Sequence, residues 1–87
     1  MALGFPNLSR NYDADHQRIR FWGHDSAIEV AFILEEDALL RLDPRTAHSE
    51  SAMLATFDAA ISRIHAAASK AYASRKRSFH VLTASDF

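Results

Sequence analysis

The hydrophobic pattern changes period along the chain, and each change marks an element. From Met1 to His16 no period is sustained, and Gly4, Pro6, Asn7, Ser9, Asn11, Asp13 and Asp15 give the stretch a turn-forming composition. Residues 1–16 read as an extended arm or edge strand, with Phe5, Leu8 and Tyr12 as apolar anchors. Arg18-Ile19-Arg20-Phe21-Trp22 then alternates polar and apolar, as a half-buried strand does. After a turn cluster at Gly23-His24-Asp25-Ser26, Ile28 to Leu34 alternates again, with Ile28, Val30, Phe32 and Leu34 on one face. The two strands predict an antiparallel hairpin over 18–34. Pairing like faces sets Phe21 opposite Ile28 or Val30. The first choice also sets Arg20 opposite Glu29, an opposite-charge pair contributing about 0.2–1 kcal/mol.

Residues 35–42 carry Glu35, Glu36 and Asp37 at their start and Arg41 near their end, in the sense the helix macrodipole favours, and Asp43-Pro44 follows as a stop. A short helix is predicted there. Met53, Phe57, Ile61, Ile64, Ala68 and Tyr72 then recur at steps of three and four behind a cap at Ser49 or Ser51. This predicts one long amphipathic helix over 51–74, roughly 35 Å in length at 1.5 Å per residue. It is longer than such short strands need for cover, so its excess is free to overhang or to meet a partner. Residues 78–83 predict a last strand, with Phe79, Val81 and Thr83 toward the helix and His80 and Leu82 on the other face. The fold class is therefore α+β. A short antiparallel β-meander of about three to four strands packs on one long C-terminal-half helix, with a short helix before it, and residues 1–87 make a single domain.

Composition narrows the chemistry. The chain has no cysteine, which excludes disulfides, thiolate metal sites, iron–sulfur clusters and cysteine nucleophiles. Apolar residues at 48% and charged residues at 24% are enough to support a folded core. A net charge of −1 gives the whole molecule no strong pull on nucleic acid or anionic membrane, so only local patches matter for such partners. No run approaches the ~18 apolar residues of a membrane span. Met1 to Leu8 lacks a basic leader and is interrupted by Pro6, so a cytoplasmic protein without membrane association is expected.

Phe5-Pro6-Asn7, Tyr12-Asp13, Arg18 to Gly23, Glu29-Val30-Ala31-Phe32, Glu35 to Leu39 and the closing Asp86-Phe87 together resemble small bacterial proteins of domain of unknown function family 1488. The resemblance spans nearly the whole chain. It implies a compact α+β domain with an antiparallel sheet and a long C-terminal helix, and it implies no activity, cofactor or site.

The candidate constellations are few. His16, His24, His48, His65 and His80 include no pair at helical i, i+3 or i, i+4 spacing. A metal or small-ligand site from Asp13, Asp15, His16, His24 and Asp25 requires the arm to fold back over the hairpin turn; the competing reading is solvated turn residues. Ser26, His24 and Asp25 are adjacent but diverge as turn residues. With Gly4 and Gly23 the only glycines, no glycine-rich phosphate loop or nucleophile elbow can be built. No catalytic residue, cofactor or bound metal is expected, and the chain is read as a non-enzyme. Lys70, Arg75, Lys76 and Arg77 form a candidate anion or nucleic-acid patch, against the plainer reading that they complement the helix dipole. On the second face of the sheet Trp22, Ala31, Ile33 and Leu82 form a candidate interface rimmed by Arg18, Arg20, Glu29 and His80. Either the arm covers that face, through Phe5, Leu8 or Tyr12, or a second subunit does. The functional expectation is a small structural or interaction module, self-associating as a homodimer, with a weak nucleic-acid or regulatory-partner binder as the alternative.

Overall fold

The computed structural model describes residues 3–6 and 9–87. The elements in chain order are β1 (Arg10–Asp13), β2 (Arg18–Asp25), β3 (Ile28–Leu34), α1 (Glu36–Leu42), α2 (Glu50–Ala59), α3 (Ile61–Ser74), β4 (Phe79–Leu82) and a closing 3₁₀ turn, Ala84–Asp86. The sheet order is β1-β2-β3-β4. The first three strands form an antiparallel meander, while β4 joins β3 in parallel after the helical crossover. The sheet is therefore mixed, and the α+β class holds.

The β2–β3 register differs from either pairing expected. Phe21 lies opposite Phe32, Arg20 opposite Ile33 and Glu29 opposite His24. Gly23, His24 and Asp25 belong to β2, and the loop shrinks to Ser26-Ala27, with Ser26 left-handed at φ 56°. Two-residue hairpins favour a left-handed first position because its twist matches the strands. The register moved by an even number of residues, so the side chains of β2 and β3 kept their predicted faces.

One core lies between the sheet and the helices. Ile19, Phe21, Val30, Phe32, Leu34 and Leu82 from the strands meet Ala38, Leu39, Met53, Phe57, Ile64, Ala68 and Tyr72 from the helices. Fully burying a side chain such as Phe32 or Leu34 contributes about 1.5–3 kcal/mol. Leu82 is 1% exposed. Its assignment to the open face is thus corrected: β4 turns Leu82 and His80 inward and Phe79 and Val81 outward. Inside, Leu82 pairs with Leu34 in the ladder, and the His80 ring stacks on Phe32 at 5.4 Å between centroids.

The long helix expected over 51–74 is divided at Ala60, whose φ of −106° and ψ of 18° leave the helical region. No proline or glycine marks the break. Its setting is tertiary: α2 is tied by a Thr46–Thr56 hydroxyl contact of 2.8 Å and by the Arg10 guanidinium, whose Nε and Nη2 donate to the two Asp58 oxygens at 2.9 and 2.8 Å. α3 lies against β4 instead. The break at Ala60 lets each segment follow its own neighbours. Ser49 caps α2, its hydroxyl accepting the Ala52 N–H at 3.2 Å.

The arm packs on the helix side of the sheet. Gly4 exchanges both backbone hydrogen bonds with His24 at 2.8 Å each. Phe5 lies face to face with His65 at 3.8 Å and near Phe21 and Phe32. A glycine at position 23 permits this close approach, since a Cβ there would sit 2.9 Å from Phe5 Cε1 and 3.1 Å from Leu3 Cδ1. Tyr12 also packs on the core. Cover of the second face by Phe5 or Tyr12 is therefore overturned, and Leu8 lies outside the described residues.

Candidate functional site

The outer face of the sheet is built in cross-strand rows. Trp22, Ala31 and Phe79 are neighbours in one row, and Arg20, Ile33 and Val81 in the next. Alternation along each strand directs these side chains away from the helices. Ile33, in a strand flanked on both sides, is 3% exposed yet stands apart from the core cluster. Phe79 and Val81 remain 52% and 45% exposed. The helices bury their apolar side chains in the inner cluster, and among the described residues no helix covers this face. Three of the four predicted interface residues, Trp22, Ala31 and Ile33, lie together here; Leu82 does not, and Phe79 and Val81 take its place. The alternation of β4 fits either facing, so no local signal revealed those two.

Charge surrounds the apolar rows. Arg20 holds its guanidinium carbon 6.0 Å from the Trp22 ring centroid. At one end of the strands Arg18 contacts Asp13 at 3.3 Å and Glu35 at 3.7 Å. Burial pushes the Asp13 carboxyl upward, but hydrogen bonds from His16 and Arg18 outweigh it and leave the group below its ordinary range. Glu29 and His24 form the row at the opposite end. His80, expected on this rim, is on the inner face, its Nε2 3.1 Å from the Arg77 carbonyl oxygen.

The basic run follows the end of α3 in an exposed segment, Arg75 being the first residue past the helix. Lys76 holds Nζ 5.6 Å from the Tyr72 ring centroid. Lys70, Arg75 and Arg77 line a groove of about 580 Å³ between α3 and β4, so three of the four predicted patch residues converge.

The polar cluster considered for metal does not converge. Asp13 and His16 sit at one end of β2, His24 and Asp25 at the other, roughly 20 Å away at 3.3 Å per residue. Among the described residues no three His, Asp or Glu side chains are placed to hold a metal ion. Asp25 instead accepts a 2.7 Å hydrogen bond from the Tyr72 hydroxyl, which raises the phenol above its ordinary value. Ser26, His24 and Asp25 form no triad: His24 faces outward with Trp22, Asp25 faces the helices, and Ser26 is exposed in the turn. No described helix is long and apolar enough to cross a membrane.

No curated protein and no solved structure matches the chain. Residues 3–81 match the family described as "Protein of unknown function (DUF1488)", and the span of that match shows that the chain belongs to this family.

Proposed function

We propose that this protein is a small interaction module that self-associates through the outer face of its sheet. The observation that carries the reading is the pair of adjacent rows, Trp22-Ala31-Phe79 and Ile33-Val81, on a face that the helices leave uncovered. Aromatic and aliphatic centres rimmed by arginine have the composition of an interface core and its surround.

A second copy is favoured as occupant by charge placement. Arg20 lies in the row of Ile33 and Val81, whereas Glu29 lies one row beyond Trp22, at the other end of the patch. A two-fold axis crossing the strands through the Trp22–Ala31 row, midway between Arg20 and Glu29, sets Arg20 of each copy over Glu29 of the other, the self-complementarity an isologous interface needs. A standard interface buries about 800 Å² per partner, roughly a sixth of the 5158 Å² surface.

The reading is non-enzymatic. What supports it is that the candidate polar side chains are engaged within the fold, Asp25 by the Tyr72 hydroxyl and Asp13 by Arg18 and His16, at opposite ends of β2. A cytoplasmic setting is supported by a core closed without cysteine cross-links. Light scattering across a hundredfold concentration range tests the reading, with the fluorescence of Trp22, the single tryptophan, as a second signal. A wild-type dimer with a folded monomeric Trp22→Ser variant is expected. A wild type that stays monomeric, with an emission maximum unchanged by concentration, would overturn it.

A further inference from the structure

We infer that the groove between α3 and the free edge of β4 docks an extended acidic peptide, which adds to the sheet as a strand beside β4. In the parallel β3–β4 pairing the Ala31 N–H donates to the Ser78 carbonyl at 2.8 Å and the Glu35 N–H to the Leu82 carbonyl at 3.0 Å. Backbone direction alternates along a strand, so Ser78, His80 and Leu82 serve β3 while the N–H and C=O groups of Phe79 and Val81 point to the open side. β4 is the last strand of the sheet. Its edge therefore presents two donors and two acceptors, the template that strand addition uses.

The groove beside that edge selects charge. Lys70, Arg75 and Arg77 line it, with Ala67 and Ala71 of α3 leaving room between them. None of the three cations has a carboxylate within ion-pair distance among the described residues. The one carboxylate in the groove, Asp86, is engaged by the Thr83 N–H at 2.8 Å. Pairing the same edge of two copies would crowd six cations together, so the charge disfavours a second copy here. Nucleic acid is a poorer fit as well: its phosphates supply acceptors, and the Phe79 and Val81 carbonyls need donors. An acidic peptide satisfies both the cations and the edge.

The experiment is an amide NMR titration of the full chain with a blocked octapeptide of alternating glutamate and valine. The same peptide N-methylated at alternate amides, and a single-stranded oligonucleotide of matched charge, serve as comparisons. Expected are shifts and exchange protection of the Phe79 and Val81 amides, and binding at least tenfold weaker for the N-methylated peptide. Binding should also be at least tenfold weaker for an Arg75→Glu/Arg77→Glu variant, and unchanged in Trp22→Ser, which separates this site from the sheet-face contact. Unperturbed Phe79 and Val81 amides, equal binding of the N-methylated peptide, or tighter binding of the oligonucleotide would each overturn the inference. The peptide comparison uses the wild-type protein, so it stands even where the charge reversal impairs folding.

Discussion

Replacing Gly23 by alanine tests whether the arm is part of the folded unit. The added methyl would meet Phe5 Cε1 at 2.9 Å, Leu3 Cδ1 at 3.1 Å and the Gly4 carbonyl oxygen at 3.2 Å. The arm must give way, and with it the two 2.8 Å Gly4–His24 hydrogen bonds and the Phe5–His65 stack. Overpacking of this kind costs about 1–3 kcal/mol, and removing glycine from a strand returns about 0.5–1 kcal/mol of backbone entropy. The difference is a destabilisation of up to about 2.5 kcal/mol, centred on about 1.2 kcal/mol, at roughly 4–8 °C in Tm per kcal/mol for a domain of this size. Thermal unfolding by circular dichroism reads the loss, and the His65 ring reads its location. Burial holds the His65 imidazole below its ordinary value near 6.5. The unfolded chain thus takes up a proton first as pH falls below 6.5, and wild-type stability declines from there toward the folded-state value. With the arm displaced, His65 titrates closer to 6.5 and this part of the pH dependence flattens. A Gly23→Ala protein with undiminished Tm and an unmoved His65 titration would refute the reasoning.

Other outcomes follow from named contacts. In the monomeric Trp22→Ser background, Leu82→Ala is expected to cost about 2–5 kcal/mol as a core truncation, while Val81→Ala next to it stays within about 0.5 kcal/mol as a surface change; denaturant melts showing the reverse order would restore the opposite facing of β4. The Tyr72 phenol should ionise above pH 10 in a spectrophotometric titration, because the Asp25 carboxylate accepts its proton in a hydrogen bond, and Asp25→Asn should bring it down. With the folded-state value raised, the stability this bond contributes is complete below pH 10 and is lost as pH climbs through the folded-state value. Ser49→Ala removes the cap of α2 and is expected to cost about 0.5–2 kcal/mol, with Ser49→Asp restoring most of it in the same urea melts.

Alternation by itself determined which side of β2 and β3 each residue takes, and the bounds of β3 and the short helix were equally legible. These features survive errors in register because a slip by an even number of residues preserves facing: Arg20 lost Glu29 for Ile33 as neighbour, yet stayed on the outer face with Trp22. The cap at Ser49 was readable because it needs only a local hydroxyl and an N–H three residues on. The facing of β4 was not. Phe79-His80-Val81-Leu82 is apolar enough on either side, and the choice came from the parallel register that sets Leu82 beside Leu34 and the His80 ring on Phe32. The break at Ala60 has no local mark either, since it reflects ties from α2 to Arg10 and Thr46, both distant in sequence. The arm's course was also a tertiary decision, made by the space a missing side chain leaves at Gly23. Periodicity is a property of single elements, and the sequence carries it plainly. Which element covers which face depends on contacts between segments far apart in the chain, and those placed Phe79 and Val81 outside and gathered Lys70, Arg75 and Arg77 around one groove.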